Sequence, residues 1–440
     1  MARIVLNTFG SLGDLHPFLA IAMELQKRGH SVIIATSEVY RKKIEGEKVG
    51  FAPVRPDVGE VLGNTALLEK IWDQRRGTEY LLKEVILPHI QDGFEDLTAA
   101  TRHADLLITH SAGYAGPIAA EAMKLCWLSV ALQPMTFFSA TDPPVLGAAR
   151  WLRQPHFLGR WPFRLVRRIA RLQTGRWVAS VRRFRRSLGL SASSHPLFEG
   201  QFSPYGTLAL FSKQYAQPQP DWPPSVTVTG FVFYDQLGAG LTEYTSGAQE
   251  SVIKELDEFL QNGPPPVLFT LGSSAVMFPG AFFEESLRAA QQLGIRAVLL
   301  AGNQPSPTVP GDLKKSIFVA GYAPYSQLMP EAALTVHQGG IGTTAQALRA
   351  GKPMLIVPWA HDQPDNAERA RKLGVSRTLE RARYTASTAR DEIEQLIDNS
   401  SYAQAASAFR DRLVREDGLT SACDAIETTL AGKLPQKSRG

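Results

Sequence analysis

The chain has 440 residues, of which 44% are hydrophobic and 20% charged, so a wholly disordered, collagen-like or low-complexity protein is excluded. This length predicts two or three domains, each able to bury a core. The net charge of +5 hides a local excess: residues 143–198 hold twelve arginines and no lysine, aspartate or glutamate, so the remaining residues carry −7. The basic character is therefore a property of one surface or partner site.

In the first half, an apolar strand (Arg3–Thr8), a Gly-rich turn, a helix (Pro17–Arg28) and a second strand (Ser31–Thr36) follow one another. This order is typical of a parallel α/β sheet. It recurs further along, with predicted strands at 104–109 and 127–132, a helix at 116–124, a helical arginine-rich region at 150–188 and a short strand at 226–230.

After the Gly- and aromatic-rich residues 231–245, which we take as a linker, the same pattern restarts. The predicted strands are 266–271, 297–301, 317–319, 334–336 and 353–358, and the predicted helices are 282–293 and the one ending at 350. The expected fold is therefore α/β, with two Rossmann-like domains that face each other across a cleft. Ligands of such folds bind beyond the carboxyl ends of the strands.

The segment from His337 to Thr344 joins a predicted strand to a helix and contains three glycines. Free N–H groups at the helix start, two threonine hydroxyls and the histidine would suit a diphosphate. A plain strand-to-helix turn explains the glycines equally well. The spacing matches neither a P-loop nor a dinucleotide fingerprint, which disfavours both of those classes. Asp362 and Gln363, after a later strand, either hold sugar hydroxyls or simply form a turn.

Together these motifs resemble the donor-binding signature of the UDP-glycosyltransferase superfamily. The resemblance rests on Gly321-Tyr322-Ala323-Pro324, His337-x-Gly-Gly-x-Gly-Thr-Thr and Asp362-Gln363, with Gly10–Pro17 similar to the N-terminal counterpart. Within the superfamily, the segments at Pro220–Pro224 and Ala360–Arg369 resemble those of bacterial members, which include the rhamnosyltransferase chain of rhamnolipid synthesis and enzymes that modify macrolides and flavonoids.

The resemblance implies the GT-B fold, with an acceptor-binding domain at 1–230 and a nucleotide-sugar-binding domain at 246–420. Residues 421–440 would form a helix and tail that pack back on the N-terminal domain. Tyr322 would stack on the base of the donor, and Ala323 would bind the base edge through its backbone. The residues implied to contact the rest of the donor are Ser11, Gly13, Ser273, His337, Gly340, Gly342, Thr343, Thr344, Asp362 and Gln363.

The expected catalytic residues are Asp14, His110 and His16. Plant members place a histidine base where this chain has Asp14, and their acidic partner falls where this chain has His110. The resemblance therefore implies Asp14 as the base and His110 as an orienting group, with His16 as the alternative base. Asp14 at a helix start also fits an N-terminal capping role.

The expected activity is an inverting transfer of a hexose to a hydroxyl of a hydrophobic small molecule or lipid, with UDP-glucose as the first donor and dTDP-rhamnose as the alternative. A nucleotide-sugar epimerase and a non-catalytic nucleotide-sugar-binding partner are the rival classes. We expect no cofactor and no metal, because the sequence contains no Asp-x-Asp pair and no His/Cys ligand spacing.

The arginine-rich segment 150–186 has three interpretations: surface packing that lines the acceptor pocket, peripheral contact with a membrane, or nucleic-acid binding. The last is disfavoured because the chain has no recognised nucleic-acid module. With two cysteines, no signal-peptide pattern and no uncharged apolar run of 18 residues, we expect a cytoplasmic protein, with peripheral contact at the inner membrane face as a variant.

Overall fold

Two parallel β-sheets, each flanked by helices, make up the computed structural model, which describes residues 1–147, 161–234, 247–302 and 307–432. The strands are β1 (Arg3–Asn7), β2 (Ser31–Thr36), β3 (Gly50–Pro53), β4 (Leu106–His110), β5 (Trp127–Ala131), β6 (Thr207–Ala209), β7 (Val226–Val228), β8 (Val267–Thr270), β9 (Ala297–Leu300), β10 (Ile317–Ala320), β11 (Leu334–His337), β12 (Met354–Ile356) and β13 (Ser376–Thr378).

Seventeen α-helices lie in the described residues. They are α1 (Leu12–Lys27), α2 (Arg41–Gly46), α3 (Val58–Leu62), α4 (Thr65–Ile71), α5 (Gly77–Tyr80), α6 (Ile90–Thr101), α7 (Ala115–Ala122), α8 (Trp161–Thr174), α9 (Ala179–Ser187), α10 (Gly247–Gln261), α11 (Phe282–Leu293), α12 (Tyr325–Glu331), α13 (Ile341–Ala350), α14 (Gln363–Lys372), α15 (Ala386–Asp398), α16 (Ser400–Leu413) and α17 (Gly418–Ala431).

The strand order confirms the predicted fold class. The first sheet runs β3-β2-β1-β4-β5-β6-β7 and the second β10-β9-β8-β11-β12-β13, with every pair parallel. In both sheets the order reverses once, between β1 and β4 and between β8 and β11. At such a reversal the connections leave in opposite directions, and a crevice opens beyond the carboxyl ends of the strands. Each half therefore contributes one crevice.

Helix α1 begins at Leu12, so the predicted start at Pro17 is wrong. Ser11 and Asp14 form a capping box: the Ser11 hydroxyl accepts from the Gly13 N–H, and the Asp14 carboxylate accepts from the Ser11 N–H. These two bonds stabilise a first turn upstream of Pro17, which lies inside the helix. As a result Asp14 occupies the first turn of α1.

The last helix, α17, packs against the N-terminal half. Its apolar residues, among them Cys423 and Ile426, share a core with Phe18 of α1. Arg28, at the end of α1, forms ion pairs with Asp424 and Glu427. The end of the chain thus ties the second half back to the first.

Parts of three predicted segments lie outside the described residues: residues 150–160 of the arginine-rich region, 235–245 of the linker and the tail after 432. The structure also contains elements where the sequence analysis predicts none, notably β3 and the helices α3 to α6. Among the described residues, no helix has both the length and the hydropathy needed to cross a membrane.

Candidate functional site

The N-termini of two helices, one from each half, meet in the cleft. A Cβ added to Gly342 of α13 would lie 3.9 Å from the Cα of Gly13 in α1. Gly340 caps α13 without a side chain, and the backbone bond from Thr344 to Gly340 leaves the preceding N–H groups of α13 without an intrahelical acceptor. The free N–H groups at the start of α13 therefore face the start of α1, whose own N–H groups are partly satisfied by Ser11, and a helix end such as that of α13 can bind an anion.

His337 adds a further donor at the carboxyl end of β11. Its ring is fully buried, and its Nδ1 accepts a hydrogen bond from the Gly339 N–H at 3.0 Å. Burial lowers the pKa of His337 to about 3, so the ring is neutral and its one proton lies on Nε2. Nε2 has no hydrogen-bond partner among the described residues. A buried donor without a partner is costly, which indicates that a ligand accepts from it.

The two threonines of α13 differ in what they can offer. The Thr344 hydroxyl lies 3.0 Å from the Gly340 carbonyl and donates to it, so its proton is already used inside the helix. Thr343 lies beside the turn after β8, with its Oγ1 3.3 Å from where a Cβ on Gly272 would stand. Ser273, exposed in that turn, follows directly. The turn after β8 and α13 thus face the same crevice.

Asp362 and Gln363 sit where β12 leads into α14. The Gln363 Oε1 accepts from the N–H groups of Trp359 and Ala360, at 2.7 and 3.2 Å, so this side chain holds the loop and leaves only its amide nitrogen for a sugar. Burial, with a smaller contribution from the nearby charge of Asp14, raises the pKa of Asp362 to about 7. The two carboxylates, one from each half, therefore face a shared cleft.

The expected base-binding residues lie in the loop between β10 and α12. Tyr322 is 37% exposed, as a stacking platform requires. Ala323 is buried, and its backbone N–H and C=O form no hydrogen bond among the described residues. Tyr234, which the sequence analysis does not single out, lies close enough to Tyr322 for the two phenols to influence each other's charge, although burial is the main cause of its raised pKa.

Asp14 and His110 come together in the crevice of the first sheet, whereas His16 does not join them. The Asp14 Oδ2 accepts from the Ser11 N–H at 2.7 Å, and a Cβ on Gly10 would collide with this carboxylate. His110 is buried at the carboxyl end of β4, and neither ring nitrogen has a hydrogen-bond partner among the described residues. Burial lowers its pKa, against the opposing charge of Asp14, so the ring is neutral at pH 7.

His16 packs against Tyr234 instead, with ring centroids 5.0 Å apart and the rings tilted by 34°. Burial lowers the pKa of His16 to about 3, with a contribution from the nearby Lys43 cation. A group with this pKa is a weak acceptor of protons at neutral pH. His16 thus contacts Tyr234, and Asp14 and His110, which influence each other's charge, stay the predicted pair.

Asn366 is a residue to which the sequence analysis assigns no role. It is fully buried, and its Nδ2 donates to the Asp362 Oδ2 at 2.7 Å and to the Gly339 carbonyl at 2.9 Å. Its Oδ1 accepts from the Tyr215 hydroxyl of the N-terminal half at 3.1 Å. One amide thus joins the Gly-rich turn, the carboxylate at 362 and the opposite half of the molecule.

An ion-pair network beside Asn366 also links the halves. The buried guanidinium of Arg369 pairs with Asp365 at 2.8 Å and with Asp142 at 2.6 Å. The Val145 N–H donates to Asp365 at 2.9 Å. The loop after β5 in the N-terminal half is therefore held against α14, the helix that follows Asp362. In the sequence, the sign of this ion-pair network was that Asp365 and Arg369 are one helical turn apart.

Replacing Asn366 with alanine is expected to reduce the free energy of unfolding by about 2–4 kcal/mol. The change removes the donor from two acceptors and the acceptor from the buried Tyr215 hydroxyl. Urea denaturation measures this loss. Tyr215→Phe is the matched control, since it breaks only one of these bonds and should cost about 1 kcal/mol. If both variants lost the same small amount of unfolding free energy, the network around Asn366 would be contradicted.

The described part of the arginine-rich segment forms α8 and α9, which pack beside α6 and α7. Residues 176–187, mostly in α9, and residues 83–91 line a groove of about 580 Å³. This groove contains none of the residues expected to bind the donor. As for metals, the described residues contain no group of three or more His, Cys, Asp or Glu side chains that could hold an ion.

Two family models match the chain. The N-terminal domain of glycosyltransferase family 28 matches residues 4–94, and the C-terminal domain of the erythromycin biosynthesis protein CIII-like family matches residues 291–422. The second match includes the loop with Tyr322, the turn with His337 and the pair Asp362 and Gln363.

Similarity to individual proteins extends over most of this chain. The chain is 31% identical to O-mycaminosyltylonolide 6-deoxyallosyltransferase of Streptomyces fradiae, over 97% of each chain. It is 27% identical to sterol 3-beta-glucosyltransferase of Leptosphaeria maculans, over 84% of this chain but 25% of that longer protein. Among solved structures, the glycosyltransferase of kitacinnamycin superposes with a TM-score of 0.72, at 20% identity, over 98% of this chain and 99% of that one.

Proposed function

Since the chain belongs to the UDP-glycosyltransferase superfamily, we propose that it is an inverting hexosyltransferase that glycosylates a hydroxyl of a hydrophobic small molecule or lipid. That it is a glycosyltransferase is shown by its relatives; the donor, acceptor and stereochemistry are the proposal. The observation that carries the proposal is the meeting of two helix N-termini beside the unpartnered Nε2–H of His337. This arrangement supports binding of the diphosphate of a nucleotide sugar.

The leaving group would be stabilised by fixed dipoles. As the bond from the anomeric carbon to the diphosphate breaks, negative charge grows on the phosphate oxygen. The N–H groups at the start of α13 and the His337 Nε2–H are held in place before the reaction, so they need no reorganisation to stabilise that charge. This chemistry uses the nucleotide sugar as a substrate and requires no cofactor or metal.

The acceptor hydroxyl would lose its proton to Asp14. Oδ2 of this carboxylate is held by the Ser11 N–H, which orients the group at the start of α1. The neutral imidazole of His110, buried beside it, would accept or donate a hydrogen bond that fixes the attacking oxygen. Attack on the anomeric carbon from the side opposite the diphosphate inverts its configuration. A carboxylate beside the forming bond takes the proton as the bond forms.

The sugar hydroxyls would bind Asp362 and the free amide nitrogen of Gln363. With a pKa of about 7, the carboxyl of Asp362 is protonated below neutrality and ionised above it. The ionised form accepts hydrogen bonds from hydroxyls with both oxygens, and these charge-assisted bonds are the stronger ones.

We therefore expect the KM for the donor to fall as the pH rises through about 7, by several-fold between pH 6 and 8. The measurement is initial rate against donor concentration at each pH. In Asp362→Asn the KM should be higher and independent of pH over this range. A pH dependence that survives in Asp362→Asn would assign it to another group.

Two donors stand out. UDP-glucose remains the first to test, and the sterol 3-beta-glucosyltransferases, which are named as glucosyltransferases, support it. dTDP-rhamnose is the second candidate, because rhamnose is a 6-deoxyhexose and the 31% identical relative is named as a 6-deoxyallosyltransferase. Both relatives are also named for large, hydroxylated acceptors of low polarity, tylonolide and sterol, which supports an apolar acceptor.

The test is a donor panel read by thermal shift, followed by product mass with mixed macrolide, phenolic, sterol and lipid acceptors. The expected result is one pyrimidine-nucleotide hexose that raises the unfolding temperature and yields an acceptor heavier by one hexosyl unit. Conversion of the donor to an isomer without acceptor would instead support the epimerase. Binding of a donor without turnover on the whole panel would support the non-catalytic partner.

A further inference from the structure

Helix α8 exposes a stripe of apolar side chains. Leu165, Ile169 and Leu172 are 46%, 44% and 72% exposed. Their spacing of four and three residues places them on one side of the helix. The opposite side is anchored, since Phe163 is buried. The described residues thus leave an apolar stripe on α8 uncovered.

Arginines flank this stripe, and eight of the nine in residues 161–187 fall into two sets, the half-buried Arg182 being the ninth. The inner set is paired: Arg167 and Arg171 with Glu199, and Arg185 with Glu121. The outer set is exposed and makes no ion pair with any described residue: Arg164, Arg168, Arg176, Arg183 and Arg186. If these arginines served only to stabilise the fold, all of them would be expected to pair with carboxylates. The outer set leaves the positive charge of this surface uncompensated.

The groove of about 580 Å³ opens between residues 176–187 and residues 83–91. Its lining combines the apolar side chains of Leu87, Pro88, Ile90, Trp177 and Phe184 with the basic ones of Lys83, Arg176 and Arg183, and it includes no carboxylate. A concave apolar surface rimmed by cations matches an amphiphile with an anionic head. We call α8, α9 and this groove the α8–α9 surface.

We propose that the α8–α9 surface docks on a bilayer of anionic phospholipid. The exposed leucines and isoleucine would enter the headgroup region, and the unpaired arginines would contact lipid phosphates. Nucleic acid would satisfy the arginines but not the exposed apolar stripe, so charge and apolarity together favour lipid. This proposal goes beyond glycosyl transfer and holds or fails independently of it.

The position of the surface connects it to the cleft. Helices α8 and α9 share a core with α6 and α7 on one face of the first sheet. The loop that reaches residue 147 before α8 is bound to α14 through Asp142 and Val145. A bilayer on the α8–α9 surface would therefore lie beside the acceptor half, where an apolar acceptor partitioned into lipid is concentrated.

The experiment is sedimentation of the full chain with vesicles of phosphatidylglycerol and phosphatidylcholine, compared with phosphatidylcholine alone, at low and high salt. We expect binding only to the anionic vesicles and its loss at high salt. Arg164→Glu with Arg168→Glu should lower the partition coefficient at least about tenfold. The triple variant Leu165→Ser, Ile169→Ser and Leu172→Ser should also have a lower partition coefficient on anionic vesicles, because the proposal places the apolar stripe in contact with the lipid.

Matched controls come from the second half of the chain. Lys314→Glu with Lys315→Glu makes the same change in net charge at exposed positions, and Ile397→Ser with Val414→Ser changes side chains that are 47% and 71% exposed. Neither control should alter vesicle binding. Thermal unfolding and donor binding verify that every variant is folded.

Three outcomes would overturn the proposal: equal binding to neutral and anionic vesicles, equal losses in the control and test variants, or no vesicle binding at all. A different result would point to nucleic acid. In that case the protein would bind a polyanion such as heparin, and the serine substitutions would change neither heparin binding nor vesicle binding.

Discussion

Asp14→Asn is expected to reduce kcat by a factor of about 10²–10⁴ while the affinity for the donor changes by less than a few-fold. Asparagine keeps the size of the side chain and can still accept the Ser11 N–H hydrogen bond, so the start of α1 is preserved. What it cannot do is take a proton from the acceptor. Steady-state rates with saturating substrates, together with donor titration by calorimetry, separate these two effects.

Ser11→Ala is the control for this prediction. It removes the hydroxyl that accepts from the Gly13 N–H and donates to the Asp14 Oδ2 at 3.1 Å, and it costs about 1 kcal/mol of stability as a lost cap, while the Ser11 N–H bond to Asp14 is kept. Because the carboxylate at Asp14 remains, its kcat should stay much closer to that of the unaltered protein. A kcat for Asp14→Asn within a few-fold of the starting value would remove Asp14 as the base. His110→Ala would then be the next variant to measure.

His337→Leu is expected to weaken nucleoside diphosphate binding by about 10- to 100-fold, the range for one hydrogen bond to a charged group. The leucine lacks the Nε2–H and also the Nδ1 that accepts from the Gly339 N–H. Binding of the matching nucleoside without phosphates should be unchanged. Calorimetric titration of UDP, dTDP, uridine and thymidine into each variant makes this comparison.

Thr344→Val is the control for His337→Leu, because it alters the same turn without removing a donor that is free to bind phosphate. Its hydroxyl donates to the Gly340 carbonyl inside α13, so its loss should alter diphosphate affinity by no more than about twofold to threefold. If His337→Leu weakened nucleoside and nucleoside diphosphate equally, the histidine would be supporting the loop rather than binding phosphate. If Thr344→Val matched His337→Leu, the helix itself would be disturbed.

Local sequence patterns predicted the two sheets and the turns that follow their strands. Most predicted strands agree with the structure to within two residues, and α13 ends at Ala350 before Gly351, whose φ is +69°. Such features depend on neighbours in the chain: runs of buried apolar residues, and glycines where side chains collide. At Gly339, for instance, φ is +87° and a Cβ would lie 2.7 Å from Ile356.

The start of α1 shows how two local signals compete. Proline favours the first turn of a helix, which led to a predicted start at Pro17. The serine and aspartate of the capping box lie upstream and satisfy the free N–H groups there, and the structure uses them. The position of Asp14 relative to the crevice follows from this choice.

By itself, then, the sequence determined most strands of the two sheets, the Gly-rich turns and the chemical types available at the ends of the strands, but not β3 or the helices α3 to α6. Only the tertiary structure decided which of those groups are free. It turned the Thr344 hydroxyl inward, used Gln363 to hold its loop, and placed His16 against Tyr234. It also brought Tyr215 to Asn366 across the cleft. Burial and long-range partners determine pKa values and free donors, and both depend on residues far apart in the chain.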